Sequence, residues 1–269
     1  MRPLLIDASN IAYHVATLLS NYNAEEDADM ADASLLYIHR RHWLTSGFPV
    51  VPIWCCDRKP YWRNDIEPEY KANRDHQTSL NISLVMERLR VLGFPRLAIE
   101  GFEADDLAAA VLKHKDYEHA YLLTSDSDWL GMVSDRITYL CPTYDPKVRG
   151  PVEAWAWLRS KHAALSARAR EKYVVPPPHD FDPTEIWKFK AITGDPADNL
   201  PPGTPLCLID LFEPFTSVPV DELAGQLGHT VFEEFYWDPA EAQEFNQELP
   251  DQPLNPIRIQ ADGGRRTFV

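Results

Sequence analysis

The sequence predicts an α/β fold in which helices cover both faces of a mostly parallel central sheet. Short apolar segments alternate with helical patterns through the first half of the chain, which is typical of parallel sheets. The chain has 269 residues, and 45% of them are hydrophobic, which is enough to bury one sizeable core. Five segments have the length and composition of strands: residues 4–6, 50–56, 97–100, 120–124 and 137–140.

Helical patterns lie between these strands and beyond them. One of them has apolar residues at the spacing that forms a stripe along a helix: Leu107, Ala108, Val111 and Leu112. The helix predictions cover residues 31–46, 79–92, 105–115, 151–160, 183–192 and 239–246.

A proline cluster at residues 176–178 indicates a boundary in the chain. We therefore predict a main domain over residues 1–178 and a smaller, mainly helical C-terminal region over residues 179–261. Residues 262–269 are predicted to form a flexible tail.

The net charge of −15 is unusual for a protein that binds nucleic acid, but it is unevenly distributed. Residues 191–257 hold thirteen of the 41 acidic residues and no lysine or arginine, which leaves 28 acidic against 26 basic residues elsewhere. The near-neutral part of the chain can therefore present a local basic patch, whereas the acidic segment is expected to repel phosphate.

The composition argues against several classes of protein. No run of 18 or more apolar residues occurs, so we expect no membrane-spanning helix and no membrane partner. The first residues, MRPLLIDASN, enter a strand pattern at once and do not resemble a signal peptide. The four cysteines and nine histidines lack the spacing of disulfide or metal sites, so we expect buried thiols in a cytoplasmic protein.

Three of the predicted strands stop at an aspartate: Asp7, Asp57 and Asp126. Ligand sites in open parallel sheets lie at the carboxyl ends of the strands, so these three carboxylates are expected to meet at one edge. A single aspartate after a strand is most often a turn or helix-cap residue. Three of them together favour a ligand-binding site at this edge of the sheet.

Further carboxylates accumulate close to these strand ends. The segment GFEADDL contributes three of them, SDSDW contributes one more and GDPADN contributes two. Such crowding is unfavourable unless cations bind, and oxygen ligands without His or Cys favour Mg²⁺ or Mn²⁺ over zinc. Two such ions about 4 Å apart are the usual arrangement for phosphodiester hydrolysis. The added carboxylates are Glu103, Asp105, Asp106, Asp128, Asp195 and Asp198.

Directly after Asp57 the segment DRKPYWRNDIEPEYKANRD interleaves basic and aromatic residues. Cations stabilise charge on phosphate, and aromatic rings stack on unpaired bases. By itself this segment would be interpreted as an ordinary solvated loop, but its place beside the carboxylates favours contact with a substrate. Its basic and aromatic residues are Arg58, Lys59, Trp62, Arg63, Tyr70, Lys71 and Arg74.

With these motifs in order, the chain resembles the 5′→3′ exonuclease and flap endonuclease family, especially its compact bacteriophage members. The matching segments are LLIDASN, WRNDIEPEYKANR, EGFEADDLAAAV, LLTSDSDWL and KFKAITGDPADN, and they span roughly the first 200 residues. The resemblance implies a PIN-like 5′-nuclease catalytic domain over residues 1–178. It also implies metal-dependent hydrolysis of DNA or RNA–DNA hybrids at 5′ ends and flaps, with 5′-phosphate products, in phage replication or recombination in the host cytoplasm.

The resemblance implies a role for each matching residue. Lys71 and Arg74 would lie at the base of the arch that the 5′ strand passes, bind the scissile phosphate and stabilise the transition state. Tyr70 would stack on the terminal base pair or on a flipped nucleotide, Arg63 would contact phosphate, and Lys190 would lie near the duplex. Two or more Mg²⁺ ions, which Mn²⁺ can replace, would be held at two sites. The inner site would comprise Asp7, Asp57, Glu103, Asp105, Asp106 and Asp126, and the second site Asp128, Asp195 and Asp198, with Asp126 near both.

Two departures from the family pattern stand out. Only 28 residues separate Arg74 from Glu103, so a reduced arch is expected. After GDPADN the chain reads LPPGTPLCLIDLFEPF, a degenerate helix–hairpin–helix-like segment without the glycine-rich hairpin and the lysine, so a potassium site is not expected. The acidic C-terminal region is a candidate surface for a replication protein partner.

Three alternatives stay open at the level of sequence. A PIN-type ribonuclease would share the sheet and a smaller acidic cluster, although the paired GDPADN aspartates and the YKANR segment disfavour it. A phosphatase with an aspartate nucleophile is disfavoured because Asp7 lacks a second aspartate two residues later. A non-catalytic nucleic-acid-binding relative would be expected to have lost part of the carboxylate set, which is complete here.

Overall fold

The structure is a computed structural model, and every residue it describes belongs to the compact unit formed by residues 1–231. A second unit, residues 232–269, lies outside the described residues, as do the helix predicted over residues 239–246 and the tail. The described residues are 2–16, 19, 24–45, 50–58, 61–72, 79–142, 147–149, 152–153, 156, 182, 185–195, 198–204, 219, 221–224 and 226.

The described residues form a six-stranded sheet with the strand order β3-β2-β1-β4-β5-β6. The first five strands are parallel, whereas β6 pairs antiparallel with β5 at the edge. All five predicted strands are found, although β3 shares only Leu97 with the predicted segment 97–100, and β6 was not predicted. The strands are β1 (Arg2–Asp7), β2 (Val50–Cys55), β3 (Arg96–Leu97), β4 (Ala120–Leu123), β5 (Ile137–Leu140) and β6 (Lys147–Arg149).

The centre of the sheet is β1, which pairs with β2 on one side and with β4 on the other. Its residues Leu4, Leu5 and Ile6 are at most 1% exposed, as expected for a parallel strand that is covered on both faces. Because successive side chains point to opposite faces, Leu5 belongs to one core cluster and its two neighbours belong to the other.

Helices cover both faces of the sheet, which confirms the predicted fold class. On one face Leu107 and Val111 pack with Leu5, and on the other Ile11 and Val85 pack on the opposite side of β1. The helices are α1 (Ala8–Ala16), α2 (Ala24–Thr45), α3 (Tyr61–Ile66), α4 (Ser79–Val91), α5 (Ala104–His114) and α6 (Ile186–Thr193), with a 3₁₀ helix over Asp128–Met132.

The helix predictions differ from the structure mainly at the start of the chain. Helix α1 follows β1 without a loop. It was not predicted, because its buried positions Ile11 and Val15 lie among alanine and polar residues. Helix α2 begins seven residues before the predicted start. The prediction over residues 151–160 falls largely on residues outside the description. None of the described helices is long and apolar enough to cross a membrane.

Part of the predicted C-terminal region packs against the main sheet. Leu223 is 1% exposed and belongs to the core cluster that contains Leu5 and α5. The Gln226 side chain donates to the Ala98 carbonyl and accepts from its amide, both at 2.9 Å, beside the short edge strand β3. An edge strand presents unpaired backbone groups, so this side-chain amide covers part of that edge.

Candidate metal-binding active site

Asp7 ends the central strand and lies at the carboxyl edge of the sheet, 6% exposed. One carboxylate oxygen accepts from the Asn10 backbone amide at 3.0 Å, and the other accepts from the Thr124 hydroxyl at 2.8 Å. The pKa of Asp7 is raised to about 8, first by burial and then by the charges of Asp57 and Asp126. Asp7 therefore caps α1 and also belongs to a group of mutually repelling carboxylates.

The second strand end is joined to the start of α5. Asp57 follows β2, and its carboxylate accepts from the Ala104 backbone amide at 2.7 Å. Glu103 is the N-cap of this helix, and its own amide donates to the Asp106 carboxylate at 2.9 Å. Asp105 has its pKa raised by burial first and then by Asp106 and Glu103. Capping thus accounts for Glu103 and Asp106, but not for the buried charge of Asp105.

Arg63 neutralises the start of α5 from within the fold. Its guanidinium donates two hydrogen bonds to Asp106, at 2.7 and 2.8 Å, and lies 3.4 Å from Glu103. The side chain is 5% exposed. Contact of Arg63 with phosphate stays a prediction, since in this structure the buried guanidinium is bound to Asp106. We call Asp7, Asp57, Glu103, Asp105 and Asp106 the α5 cluster.

Tyr70 and Lys71 both bind the carboxylate of Glu103. The Tyr70 hydroxyl donates to Oε2 at 2.6 Å and the Lys71 ammonium donates to Oε1 at 2.5 Å. The ring of Tyr70 is largely buried, beside Ala191 and Leu200. Lys71 lies among carboxylates, and its binding of the scissile phosphate stays a prediction, as does base stacking by Tyr70. Arg74 lies outside the described residues.

A second group of carboxylates gathers beside β4 and α6. Asp126 follows β4, and one of its oxygens accepts from the Asp128 amide at 3.2 Å, where the 3₁₀ helix begins. The pKa of Asp128 is raised to about 7 by burial, which the Lys190 charge partly offsets. Asp195 and Asp198 come from the turn after α6. We call Asp126, Asp128, Asp195 and Asp198 the α6 cluster.

Lys190 holds the α6 cluster together. Its ammonium lies between the carboxylates of Asp128 and Asp195, with Asp195 Oδ2 at 2.5 Å. Burial lowers the lysine pKa, but Asp128 and Asp195 more than offset that effect, so the pKa is raised. The position of Lys190 near a duplex stays a prediction; in this structure the side chain is 20% exposed and bound to acidic partners.

Two glycines allow α6 and its turn to approach the site closely. At Gly131 in the 3₁₀ helix a Cβ would lie 2.4 Å from the ring of Trp187, which α6 carries. Gly194 ends α6 with a φ of 79°, and a Cβ there would lie 2.5 Å from the Leu200 carbonyl oxygen. Side chains at these positions would push the α6 cluster apart.

A cleft of about 540 Å³ opens between the two clusters. Two residues of the α5 cluster and three of the α6 cluster lie in its walls, together with basic and aromatic side chains. The lining residues are Arg63, Tyr70, Glu103, Asp105, Asp128, Trp187, Lys190, Asp195, Asp198 and Leu200. Within the described ranges, no three carboxylate, histidine or cysteine side chains are arranged to hold a metal ion as a group. The donors present are of the oxygen type that Mg²⁺ prefers. The pKa values of Asp7, Asp105 and Asp128 are raised by burial first and also by neighbouring carboxylates, a penalty that a bound cation would relieve.

This geometry can be compared with known proteins. A family model described as the 5′-3′ exonuclease, N-terminal resolvase-like domain, matches residues 2–155. The chain belongs to this 5′-3′ exonuclease family.

Curated relatives of this family member are bacterial DNA polymerases. The chain is 28% identical over 210 residues to the thermostable DNA polymerase I of Thermus thermophilus and 32% identical over 209 residues to that of Thermus aquaticus. Both matches cover 74% of this chain but 22% of the relative. It is also 35% identical over 139 residues to DNA polymerase I of Mycobacterium bovis. The chain thus spans about a fifth of the length of the Thermus relatives that it matches.

Solved structures with the same fold come from bacteriophage T5. The T5 D15 protein, co-crystallised with metal ions, aligns with a TM-score of 0.52 and 20% identity, covering 84% of this chain and 86% of that one. The T5 D15 flap endonuclease, in a pseudo-enzyme–product complex with DNA and metal ions, aligns with a TM-score of 0.50 at the same identity. At this identity the likeness establishes the fold alone.

The sequence-based prediction missed several residues that shape the site. Thr124 orients Asp7, because its hydroxyl donates to the Asp7 carboxylate. Asn10 orients the segment that leads to Asp126, because its Oδ1 accepts from the Ser125 amide at 2.9 Å. The D-x-x-N spacing of LLIDASN is the signal that points to Asn10, because that spacing places it in the first helical turn. The contact between Gly131 and Trp187 left no signal in the sequence.

Proposed function

We propose that this 5′-3′ exonuclease family member is a divalent-metal-dependent 5′→3′ exonuclease and flap endonuclease that cuts DNA or RNA–DNA hybrids to give 5′-phosphate products. The observation that carries the proposal is that carboxylates of both clusters line one cleft, with Lys71 bound to one of them, Glu103. The T5 structures of the same fold, one of them with DNA and metal ions, support it. A setting in phage replication or recombination and a replication partner for the acidic C-terminal region extend the same proposal.

The residues that would hold Mg²⁺ are the two clusters already defined. The α5 cluster would form the inner site with Asp126, and Asp128, Asp195 and Asp198 would complete the second. A bound divalent ion at such a site activates the attacking water and stabilises the leaving oxygen. Mn²⁺ would substitute because it takes the same hard oxygen ligands.

The chain's own cations act on the phosphate in this proposal. Lys71 lies 2.5 Å from Glu103 and 3.7 Å from Asp198, so a phosphate that reaches these carboxylates also meets its ammonium. A fixed positive charge there favours the charge that develops on the phosphate oxygens. Arg63 stays with Asp106 and acts by keeping α5 in place, whereas Tyr70 orients Glu103 through its hydroxyl.

Cleavage of end-labelled substrates tests the proposal. A 5′-labelled duplex, a 5′ flap, an RNA–DNA hybrid and matched DNA and RNA single strands are each incubated with Mg²⁺, with Mn²⁺ and with EDTA. Asp126→Asn is expected to lower the cleavage rate at least about a hundredfold, because bound metal supplies several kcal/mol of transition-state stabilisation. Asp116→Asn makes the same chemical change on a side chain that is 86% exposed, and it is expected to leave the rate unchanged.

Each other result has a defined meaning. Absence of cleavage of every substrate in both metals would contradict the proposed activity. Cleavage of RNA single strands alone would favour a PIN-type ribonuclease, the alternative that shares this sheet. Full activity of Asp126→Asn would contradict the assignment of the metal ligands.

A further inference from the structure

Two short turns from distant parts of the chain hold each other through a reciprocal pair of hydrogen bonds. The Lys71 backbone amide donates to the Asp198 carbonyl at 2.8 Å. The Asn199 side-chain amide donates to the Glu69 carbonyl at 2.9 Å. We propose that Asn199 is a positioning residue that places Lys71 for the reaction, an inference that rests on the proposed function of Lys71.

The backbone conformation of Lys71 needs such support. Among the described residues, Lys71 with a φ of 57° and Asn199 with a φ of 61° are the non-glycine residues with positive φ. Asparagine tolerates this left-handed region, but lysine rarely adopts it because its Cβ approaches the backbone carbonyl. Both residues of this type lie in the same contact, and each contributes a donor to it. The contact therefore holds Lys71 in a conformation that it would otherwise leave.

The turn that carries Asn199 is itself firmly anchored. Asp195 and Leu200 exchange two backbone hydrogen bonds of 2.8 Å, and Gly194 allows the chain to fold back closely on Leu200. Tyr70 packs against Leu200, next to the residue that is to be positioned. The turn at the end of α6 is thus rigid, and its two hydrogen bonds hold residues 69–71 in place.

The consequence for the site concerns the Lys71 ammonium. Its partners Glu103 and Asp198 belong to different carboxylate clusters and both line the cleft. A change of the Lys71 backbone out of the left-handed region would swing the side chain away from one or both of them. Among the described residues, the Asn199 side chain makes its hydrogen bond to the Glu69 carbonyl and none to a carboxylate of either cluster, so its effect on cleavage would act through Lys71.

Two substitutions remove the side-chain donor and keep a residue that tolerates positive φ: Asn199→Gly and Asn199→Asp. We expect single-turnover cleavage in Mg²⁺ to slow by about tenfold to a hundredfold, the scale produced by displacing a reacting group by about 1 Å. Asn199→Asp is expected to lose more, because its carboxylate faces the Glu69 carbonyl. The thermal unfolding midpoint and the affinity for DNA in Ca²⁺ should change little.

The double variant Asn199→Gly with Lys71→Ala separates positioning from a general structural role. If Asn199 acts through Lys71, the double variant cleaves at the same rate as Lys71→Ala alone. A second readout needs no cleavage: acetylation of Lys71, 22% exposed in the structure, is followed by peptide mass spectrometry. Its rate should rise several-fold in Asn199→Gly, while that of the exposed Lys113 stays constant.

The outcomes that overturn the inference are specific. Losses that multiply in the double variant, wild-type cleavage by both Asn199 variants, or unchanged acetylation of Lys71 would each show that Asn199 does not position this lysine. Wild-type cleavage by Lys71→Ala would instead contradict the proposed function of Lys71, and the role of Asn199 would fall with it. Because acetylation measures the contact itself, it distinguishes these two failures.

Discussion

The α5 cluster and the α6 cluster carry the same kind of charge but are held together in different ways. In the α5 cluster, Arg63 binds Asp106 through two hydrogen bonds, and both side chains are buried. In the α6 cluster, Lys190 lies between carboxylates that belong to a 3₁₀ helix and to a turn. A planar guanidinium fixes direction, whereas an ammonium on a flexible stem supplies charge with little geometry. The α5 cluster is therefore built into the fold, and the α6 cluster depends on how α6 docks.

The electrostatics follow the same division. The pKa of Asp105 is raised by burial and by its acidic neighbours even with Arg63 nearby, and that of Asp7 is raised to about 8. Lys190 partly offsets the burial of Asp128, so the pKa of this carboxyl reaches only about 7. Both clusters therefore keep a penalty for their negative charge that a bound cation would relieve.

The largest effect is expected from breaking the α5 cluster at its arginine. Arg63→Ala leaves the carboxylate of Asp106 buried without its partner, which costs on the order of 3–5 kcal/mol of unfolding free energy. Urea unfolding in the presence of EDTA measures it. Arg136→Ala is the matched control, since its ion pair with Asp116 is exposed and is worth about 0–1 kcal/mol. Equal losses in the two variants would mean that the buried pair is not what holds α5.

A smaller effect is expected from disturbing how α6 docks. In Gly131→Ala the new Cβ would meet the ring of Trp187, and overpacking of this kind costs about 1–3 kcal/mol. Because α6 carries Lys190, cleavage should fall further than the loss of folded protein explains. Thermal unfolding and single-turnover cleavage measure the two effects separately.

Shortening the facing side chain is the control for that variant. Adding Trp187→Leu should recover stability relative to Gly131→Ala alone, because it removes the ring that the new methyl group meets. If Gly131→Ala unfolds and cleaves like the wild type, the close approach of α6 is not needed for the α6 cluster.

The difference between the clusters also explains what the sequence predicts well. The strands, the carboxyl-edge position of Asp7 and Asp57 and the acidic start of α5 follow from local patterns, because parallel strands bring their ends to one edge. The partners of the charges do not follow from such patterns. Arg63 binds Asp106 across 43 positions of sequence, and Lys71 meets Asp198 through a left-handed turn. These pairings depend on packing between distant segments, for which spacing along the chain gives no signal.

The same limit applies to glycine and to short elements. From the sequence, Gly131 is indistinguishable from an ordinary loop residue. Its importance comes from the ring of Trp187, which leaves no room for a Cβ at this position. Helix α1 was missed because its buried positions Ile11 and Val15 lie among alanine and polar residues, although Asp7 caps its first turn. Both features became visible only when the chain was folded back on itself.

A change of pH is the mildest perturbation, because it tests the comparison through the stability of the fold without a substitution in either cluster. A carboxyl whose folded pKa is raised stabilises the fold below its unfolded value of 3.8, and this stability is lost as pH rises through the folded pKa. In EDTA the unfolding free energy should therefore fall as pH rises toward about 8 for Asp7 and about 7 for Asp128.

Urea unfolding across that range, repeated on three variants, assigns the loss to its source. Asp7→Asn should flatten the upper part of the curve and Asp128→Asn the part near neutral pH, while the exposed Asp116→Asn should leave it unchanged. Mg²⁺ should reduce the loss in the wild type, because a bound cation favours the ionised carboxylates. A wild-type curve in EDTA that stays flat would mean that Lys190 and Arg63 already neutralise both clusters. An Asp7→Asn curve that keeps the full slope would mean that Asp7 is not the source of the loss.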